Sequence, residues 1–328
     1  MGSQNFSTIR ELPPLNAVFF ARLMHLRYHP PMDLTTYALP IFALLILTEA
    51  IFSAWRGQQV YVGRDFAASM SQLSMNIVVK LGTQGAIVGL YFFLYQFRLF
   101  ELDNGPLQWV FTLIVLDFCF YWYHRCSHRV RFLWCAHVVH HSSEQMNYGT
   151  ALRQSPTGPL TIVLFYWPLP LLGFHPLVIA SAGAVATIYG FWTHTETVRK
   201  LPAPLEWFFT TPSHHRAHHG SNPEYIDKNY ANLLIIWDRM FGTFEPEVAP
   251  VRYGLINNIG TYNPIRIAFT EWHSLLRDTV RARSLVRVKQ LWTNPPGWKP
   301  GLDTDYSVSA TAAAGSAETI ADVELARR

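Results

Sequence analysis

Charge is scarce in this chain. Asp, Glu, Lys and Arg make up 15% of its 328 residues, against roughly 25% in an ordinary soluble domain. Half the residues are apolar, and Phe, Trp and Tyr alone reach 15%. A soluble globule needs more polar surface than that, so lipid is expected to be part of the solvent. The net charge, +4, is small and dispersed; it argues against nucleic acid as a partner and suits anionic lipid head groups. Cysteine is scarcer still. Cys119, Cys126 and Cys135 are an odd number that supports no disulfide framework, and they read as small buried apolar residues in a reducing compartment. Residues 1–14 lack the basic-then-apolar order of a cleaved signal peptide, and no lipidation motif stands out. No G-x-G-x-x-G fingerprint follows a strand, and no haem or iron–sulfur motif is present. Any electrons must therefore come from a partner protein or a small reductant. No internal repeat is visible.

What the chain does have is apolar runs. Five occur, at about residues 37–55, 81–97, 107–123, 160–173 and 177–193. The first three approach the roughly 20 residues that a helix needs to cross a bilayer; the last two read as a shallow hairpin turning at Phe174-His175-Pro176. Glu49 and Asp117 are acids inside such runs, where an ionisable group is costly and tends to be paired or functional. Arg125, Arg129, Arg131, Arg153, Arg199 and Lys200 flank the histidine-bearing loops, which places those loops in the cytoplasm and the 98–106 loop outside. Parity then puts the N-terminus outside, against Arg10, Arg22 and Arg27, so the first run is expected to be re-entrant or interfacial. The expected architecture is all-α: an integral membrane helical bundle with a cytoplasmic, histidine-rich di-metal cap, multi-pass in a bacterial inner membrane or the endoplasmic reticulum. The organisation expected is an N-terminal segment at 1–35, a membrane-embedded catalytic domain at 36–249, a C-terminal cytoplasmic or interfacial extension at 250–300 and a disordered tail at 301–328. Within the extension, residues 263–290 have the pattern of a basic amphipathic helix.

Histidine carries the chemistry. Of 14, ten fall in four places: His124 and His128; His137, His140 and His141; His194; and His214, His215, His218 and His219. Residues three and four apart share one helix face, so each cluster aims two or three imidazoles at one point. Eight to ten neutral imidazoles exceed the four ligands of a tetrahedral zinc and match two metals. Glu-x-x-His pairs of carboxylate-bridged di-iron bundles are missing. Sequence proximity proposes Asp117, Glu144, Glu196, Asp227 and Asn229 as groups that orient the imidazoles. Trp122, Tyr123, Trp134, Trp192 and Trp207 read as interfacial anchors or as the lining of a substrate tunnel.

The segments HRCSH (124–128), HVVHH (137–141) and HRAHH (215–219) resemble the histidine boxes of the fatty acid hydroxylase and sterol desaturase superfamily. HHSSEQMNYGTALRQS (140–155), FWTHTE (191–196), TPSHHRAHHG (211–220), IDKNYANLLIIWDRMFGTFEPE (226–247) and YGLINNIGTYNP (253–264) are similar to its alkylglycerol monooxygenase-like members. The similarity spans about residues 35–270; the chain departs in reading Glu144-Gln-Met-Asn-Tyr-Gly where that group tends toward Asn-Leu-Ser. The resemblance implies a membrane oxidoreductase with two non-haem irons on the box histidines, hydroxylating an alkyl glycerol ether, fatty acyl, sterol or related lipid with dioxygen. It also implies tetrahydrobiopterin or an external electron-transfer protein as reductant. Within the same metal chemistry a lipid or sterol desaturase is the alternative. A membrane zinc hydrolase would want Glu inside the first box, and His124-Arg-Cys-Ser-His128 has none.

Overall fold

The computed structural model describes residues 34–102 and 105–298. The expected tail at 301–328 and nearly all of the 1–35 segment lie outside them. Among the described residues the secondary structure is helical, with a single isolated bridge between Gly220 and Tyr253.

Two long helices open the fold, α1 (Leu34–Trp55) and α2 (Gly63–Tyr95), and both are long and apolar enough to cross a membrane. Each buries its acidic side chain and exposes large apolar ones. Ala38, Phe42, Glu49 and Ser53 form the buried stripe of α1, whereas Leu44, Leu47 and Ile51 are exposed. On α2 the inward residues are Asp65, Ala68, Ser69 and Gln72, and Val78, Leu81 and Phe93 face out. A water-soluble helix has the opposite pattern; with lipid as the solvent this one is stable. The second apolar run was expected to begin near residue 81; the helix instead starts at Gly63, because its first turns bury polar side chains against the histidine-bearing layer rather than lipid.

Pro106 opens α3 (Pro106–Arg129), which ends where Val130 turns extended, and α4 (Arg131–His141) follows at once. Two one-turn helices, α5 (Tyr148–Ala151) and α7 (Pro168–Leu171), bracket α6 (Gly158–Tyr166). The chain then reverses into α8 (Pro176–Trp192). Ala182 and Ala186 of α8 are buried with Leu116 of α3, Tyr91 of α2 and Leu169 of α7; small side chains let the backbones approach, as lipid-embedded helices require. At one end the turns after α2 and after α7 lock together, with Leu99 N–H donating to Leu171 C=O at 2.7 Å. Gly173 there has φ +98°, and any Cβ would lie 2.2 Å from Phe100 O, so only glycine fits.

The histidines gather at the other end. Beyond α8 come the short α9 (Ala203–Phe208), α10 (Pro212–His218) and α11 (Ile236–Met240). The expected amphipathic helix at 263–290 is two helices, α12 (Pro264–Arg281) and α13 (Leu285–Thr293), capped separately by Asn263 and Ser284 side chains. Ile267, Ala268 and Leu275 are the buried face of α12. Its two acids, Glu271 and Asp278, both pair with Arg131 of α4.

Candidate metal centre

Nine histidines converge in two adjoining groups. His124, His128, His137, His141 and His218 form the first, and His140, His194, His215 and His219 the second; within each, every ligand atom lies within 4.8 Å of the others. Three elements supply the boxes: the last turn and a half of α3, the last turns of α4, and α10 with its C-cap His219. His194 follows the end of α8 and joins the second group. The groups touch through neighbouring rings, with His141 and His219 stacked at 4.4 Å between centroids.

Hydrogen bonds to backbone carbonyls fix where four of the imidazoles keep their lone pair. His124 Nδ1 meets Tyr230 C=O at 2.6 Å, His218 Nδ1 meets Lys228 C=O at 2.8 Å, and His194 Nδ1 meets Gly190 C=O at 2.8 Å. His140 Nδ1 lies 3.4 Å from Arg153 C=O. A carbonyl only accepts, so these rings carry the proton on Nδ1 and leave Nε2 as a bare lone pair. Within each group the Nε2 atoms lie close together. His140 and His194 are 3.1 Å apart, His194 and His215 2.9 Å, His124 and His137 2.9 Å, and His137 and His141 3.1 Å. Between His140 and His194, both protonated on Nδ1, that contact sets lone pair against lone pair, which is repulsive unless a cation sits between them. Two nitrogens each about 2.1 Å from one ion and at right angles to it lie about 3 Å apart, whereas tetrahedral ligands lie about 3.4 Å apart. The buried Nε2 atoms of His128 and His218 have no hydrogen-bond partner in the protein, as expected of ligand atoms. The residues present fit a pair of transition-metal ions with imidazole ligands.

Burial drives the electrostatics. Desolvation, followed by repulsion between neighbouring rings, pushes His137, His140, His141, His215 and His219 well below the ordinary histidine value, and burial takes His194 down to about 4. An imidazole with its folded pKa below its unfolded value binds more protons when unfolded. Its contribution to stability is thus complete above about pH 6.5 and is lost as pH falls. The metal-free protein is expected to lose thermal stability steadily from about pH 7 to about pH 5. The loaded protein should release metal over the same window, because protonation competes with coordination. A melting temperature flat across that range would contradict the buried neutral rings.

The remaining expected site residues fall elsewhere. His214, expected among the ligands, lies outside both groups. It is the third residue of α10, and its Nδ1 accepts the N–H of Thr211 at 3.3 Å, so its proton is on Nε2, which lies 3.0 Å from Glu206 Oε2. This tautomer is the reverse of the ligand rings and leaves nothing for a metal. Although burial works to raise it, hydrogen bonds from His214, Ser213 and the Leu201 N–H hold Glu206 down at about 2. The Asp117 carboxylate accepts the N–H groups of Leu233 and Leu234 and the Trp237 indole N–H. Glu144 is exposed and lines a cavity of about 300 Å³ with Asp65, Arg153 and Tyr262. Glu196 is exposed beside Tyr253. Asp227 does face the site, its Oδ1 3.7 Å from His128 Nδ1, and Asn229 ties His214 C=O to Glu245.

Sequence reasoning did not single out Glu206 or Asp238. It also could not name the carbonyls of Arg153, Lys228 and Tyr230, since a backbone acceptor leaves no mark on residue type. Trp134 packs on His128 and His141, and Tyr230 on His124, His128 and His218, as aromatic walls. Phe120, one turn before His124 on α3, lies 5.4 Å from that ring.

Residues 109–243, which hold all nine histidines, match the family described as fatty acid hydroxylase. The chain is 39% identical over 262 residues to alkylglycerol monooxygenase of Xenopus tropicalis, covering 79% of this chain and 58% of that protein. It is 38% identical over 273 residues to the Homo sapiens protein of that name, covering 82% and 61%. With ornithine lipid hydroxylase OlsE of Rhizobium tropici it shares 34% over 151 residues, 45% of each. The chain thus spans about three fifths of the length of the alkylglycerol monooxygenases cited. No solved structure matches.

Proposed function

The chain carries a domain of the fatty acid hydroxylase family, and on that premise we propose that it is a membrane monooxygenase that hydroxylates a lipid with dioxygen, using one non-haem iron in each histidine group. One observation carries this reading: nine imidazoles converge in two groups at one end of an apolar helical bundle, with the bare Nε2 atoms of His140 and His194 facing each other. Iron bound there supplies the redox chemistry that activates dioxygen, which acid–base groups cannot provide against an unactivated C–H bond. The protein's own part is to hold the imidazoles neutral and oriented. Trp134 and Tyr230 shield the first group from water, and Phe120 presents an apolar wall where α3 leaves the bilayer.

The relatives' names support a lipid substrate, since one acts on alkylglycerols and another on ornithine lipids. Electrons come from tetrahydrobiopterin or an external electron-transfer protein. The protein is multi-pass, with its histidine end toward the cytoplasm, in a bacterial inner membrane or the endoplasmic reticulum. Residues 36–249 form the catalytic domain and 250–300 an interfacial extension. The exposed stripe Ile265, Phe269, Leu276 and Val280 on α12, beside the exposed Arg266, Arg277 and Arg281, supports contact with anionic head groups.

The test is to express the full chain with iron-57, purify it in detergent, measure metals and Mössbauer spectra, and supply lipids under ¹⁸O₂. About two coupled irons per chain and one ¹⁸O in a lipid product are expected. A lipid that loses two hydrogens and gains no label would make the enzyme a desaturase. One zinc and no iron would overturn the reading in favour of a hydrolase.

A further inference from the structure

The first histidine group is held by a strap that the second does not use. Residues 227–230 cross the site with Asp227 at φ +60° and Asn229 at φ +55°. Left-handed backbone costs little for Asp and Asn but rarely occurs at two non-glycine positions so close together. Its effect here is to direct Lys228 C=O at His218 Nδ1 and Tyr230 C=O at His124 Nδ1, while the Asp227 carboxylate faces His128 and accepts from Arg129. Three of the five imidazoles in the first group thus take their orientation from four consecutive residues. Those in the second group rely on other partners, His194 on Gly190 C=O and His140 on Arg153 C=O.

The strap is itself pinned by buried carboxylates. Asp238 is 0% exposed. Its Oδ1 accepts the Tyr230 N–H at 2.8 Å and the Thr243 hydroxyl at 2.7 Å, and its Oδ2 accepts the Ala231 N–H at 2.8 Å. Asp117 continues the pattern on Leu233 and Leu234. Asn229 closes the other edge, its N–H donating to Thr243 C=O and its side chain exchanging hydrogen bonds with the Glu245 backbone. A carbonyl can fix a ring only as well as it is itself fixed, and a carboxylate accepting from both flanking residues is a stiff support.

We infer that residues 227–230, anchored by Asp238, are a positioning device specific to the first metal, so that the two ions are held by separable supports. The inference rests on the two-iron reading above. It assigns Asp238 and Asp227 a role in setting the occupancy and spectrum of one ion, with no contact to either.

The experiment uses the full-length protein in detergent, wild type beside Asp238→Asn and Asp227→Asn, loaded with iron-57. The Asn side chain at 238 keeps the shape but replaces one acceptor oxygen with a donor that faces an N–H or hydroxyl donor. Expected for Asp238→Asn is a fall from about two irons per chain to about one. The coupled Mössbauer signal should give way to that of an isolated iron, with helix content by circular dichroism unchanged. Asn tolerates the backbone at 227, so Asp227→Asn keeps the fold; it should weaken one of two chelator-resolved irons by about 10–100-fold and leave the other at the wild-type value. Two wild-type irons in both variants, or loss of both irons in step, would overturn the selective role. A wild-type protein that holds no iron pair would overturn the metal reading itself, and that outcome is read from the wild-type sample alone.

Discussion

His215→Ala is expected to strip the protein of metal in its second group and abolish lipid hydroxylation, whereas His214→Ala, one residue earlier, is expected to keep both metals. The two neighbours differ in the partners of their ring nitrogens. His215 Nε2 lies 2.9 Å from His194 Nε2 and 3.2 Å from His219 Nε2, among the ligand atoms. His214 has its Nδ1 on the Thr211 N–H and its Nε2 on Glu206. Removing one of four ligands from the second group leaves three, so the ion there should bind far more weakly and be lost during purification. Activity should fall below detection, and iron by mass spectrometry should drop to about one per chain or less. His140→Ala belongs with His215→Ala, and both variants should still insert into membranes, since neither touches the lipid-facing stripes of α1 and α2. His214→Ala removes a cap and a charge-assisted partner of Glu206. That costs stability on the order of 1–3 kcal/mol, seen as a lower melting temperature at full iron content. Equal metal loss in the two single variants would refute that distinction.

That contrast also marks how far the residue pattern alone reaches. The three boxes were legible because i, i+3 and i+4 spacing on a helix leaves few arrangements other than a shared face, and the structure brings His124, His128, His137, His140, His141, His215, His218 and His219 together. His194, isolated in sequence, joins them only because α8 ends beside α10, a fact of packing. His214 has box-like spacing but the helix-capping position decides its role, and capping geometry is not visible in the string HHRAHH. Asp117 was conspicuous as an acid in an apolar run, and it is indeed paired; its partners, the backbone at 233 and 234, lie more than a hundred residues away. Glu49 is similar, accepting from Tyr61, Thr195, Thr197 and the Tyr148 N–H. The apolar runs announced lipid correctly but misjudged where α2 starts, because its first turns are polar and face the cap. Long-range satisfaction of buried polar groups is a property of the fold, and no local pattern encodes it.

The Arg153–Asp65 pair is expected to give the largest stability effect outside the ligands. Arg153 is 1% exposed and Asp65 6%, and the guanidinium binds the Asp65 carboxylate, the Asp65 carbonyl and the hydroxyls of Ser69 and Ser142. It staples α2 to the turn after α4, and its own carbonyl faces His140. Arg153→Met strands the Asp65 carboxylate in a buried setting with the Ser143 hydroxyl as its remaining side-chain donor. Breaking one side of a buried ion pair costs about 3–5 kcal/mol, because the other charge is left unpaired. The double variant Asp65→Leu with Arg153→Met removes both charges and should recover much of that loss, since apolar replacements of similar volume are often near neutral. Thermal unfolding in detergent, compared across wild type, both single variants and the double, gives the coupling directly. The expected order is wild type, then double, then Arg153→Met as the least stable. A double variant that loses the sum of the two single losses would mean that the side chains act independently, and the staple would not be an ion pair in function. Iron content of the double variant separates the two jobs of residue 153. The backbone carbonyl that orients His140 is retained whatever the side chain, so metal should stay bound wherever the fold survives.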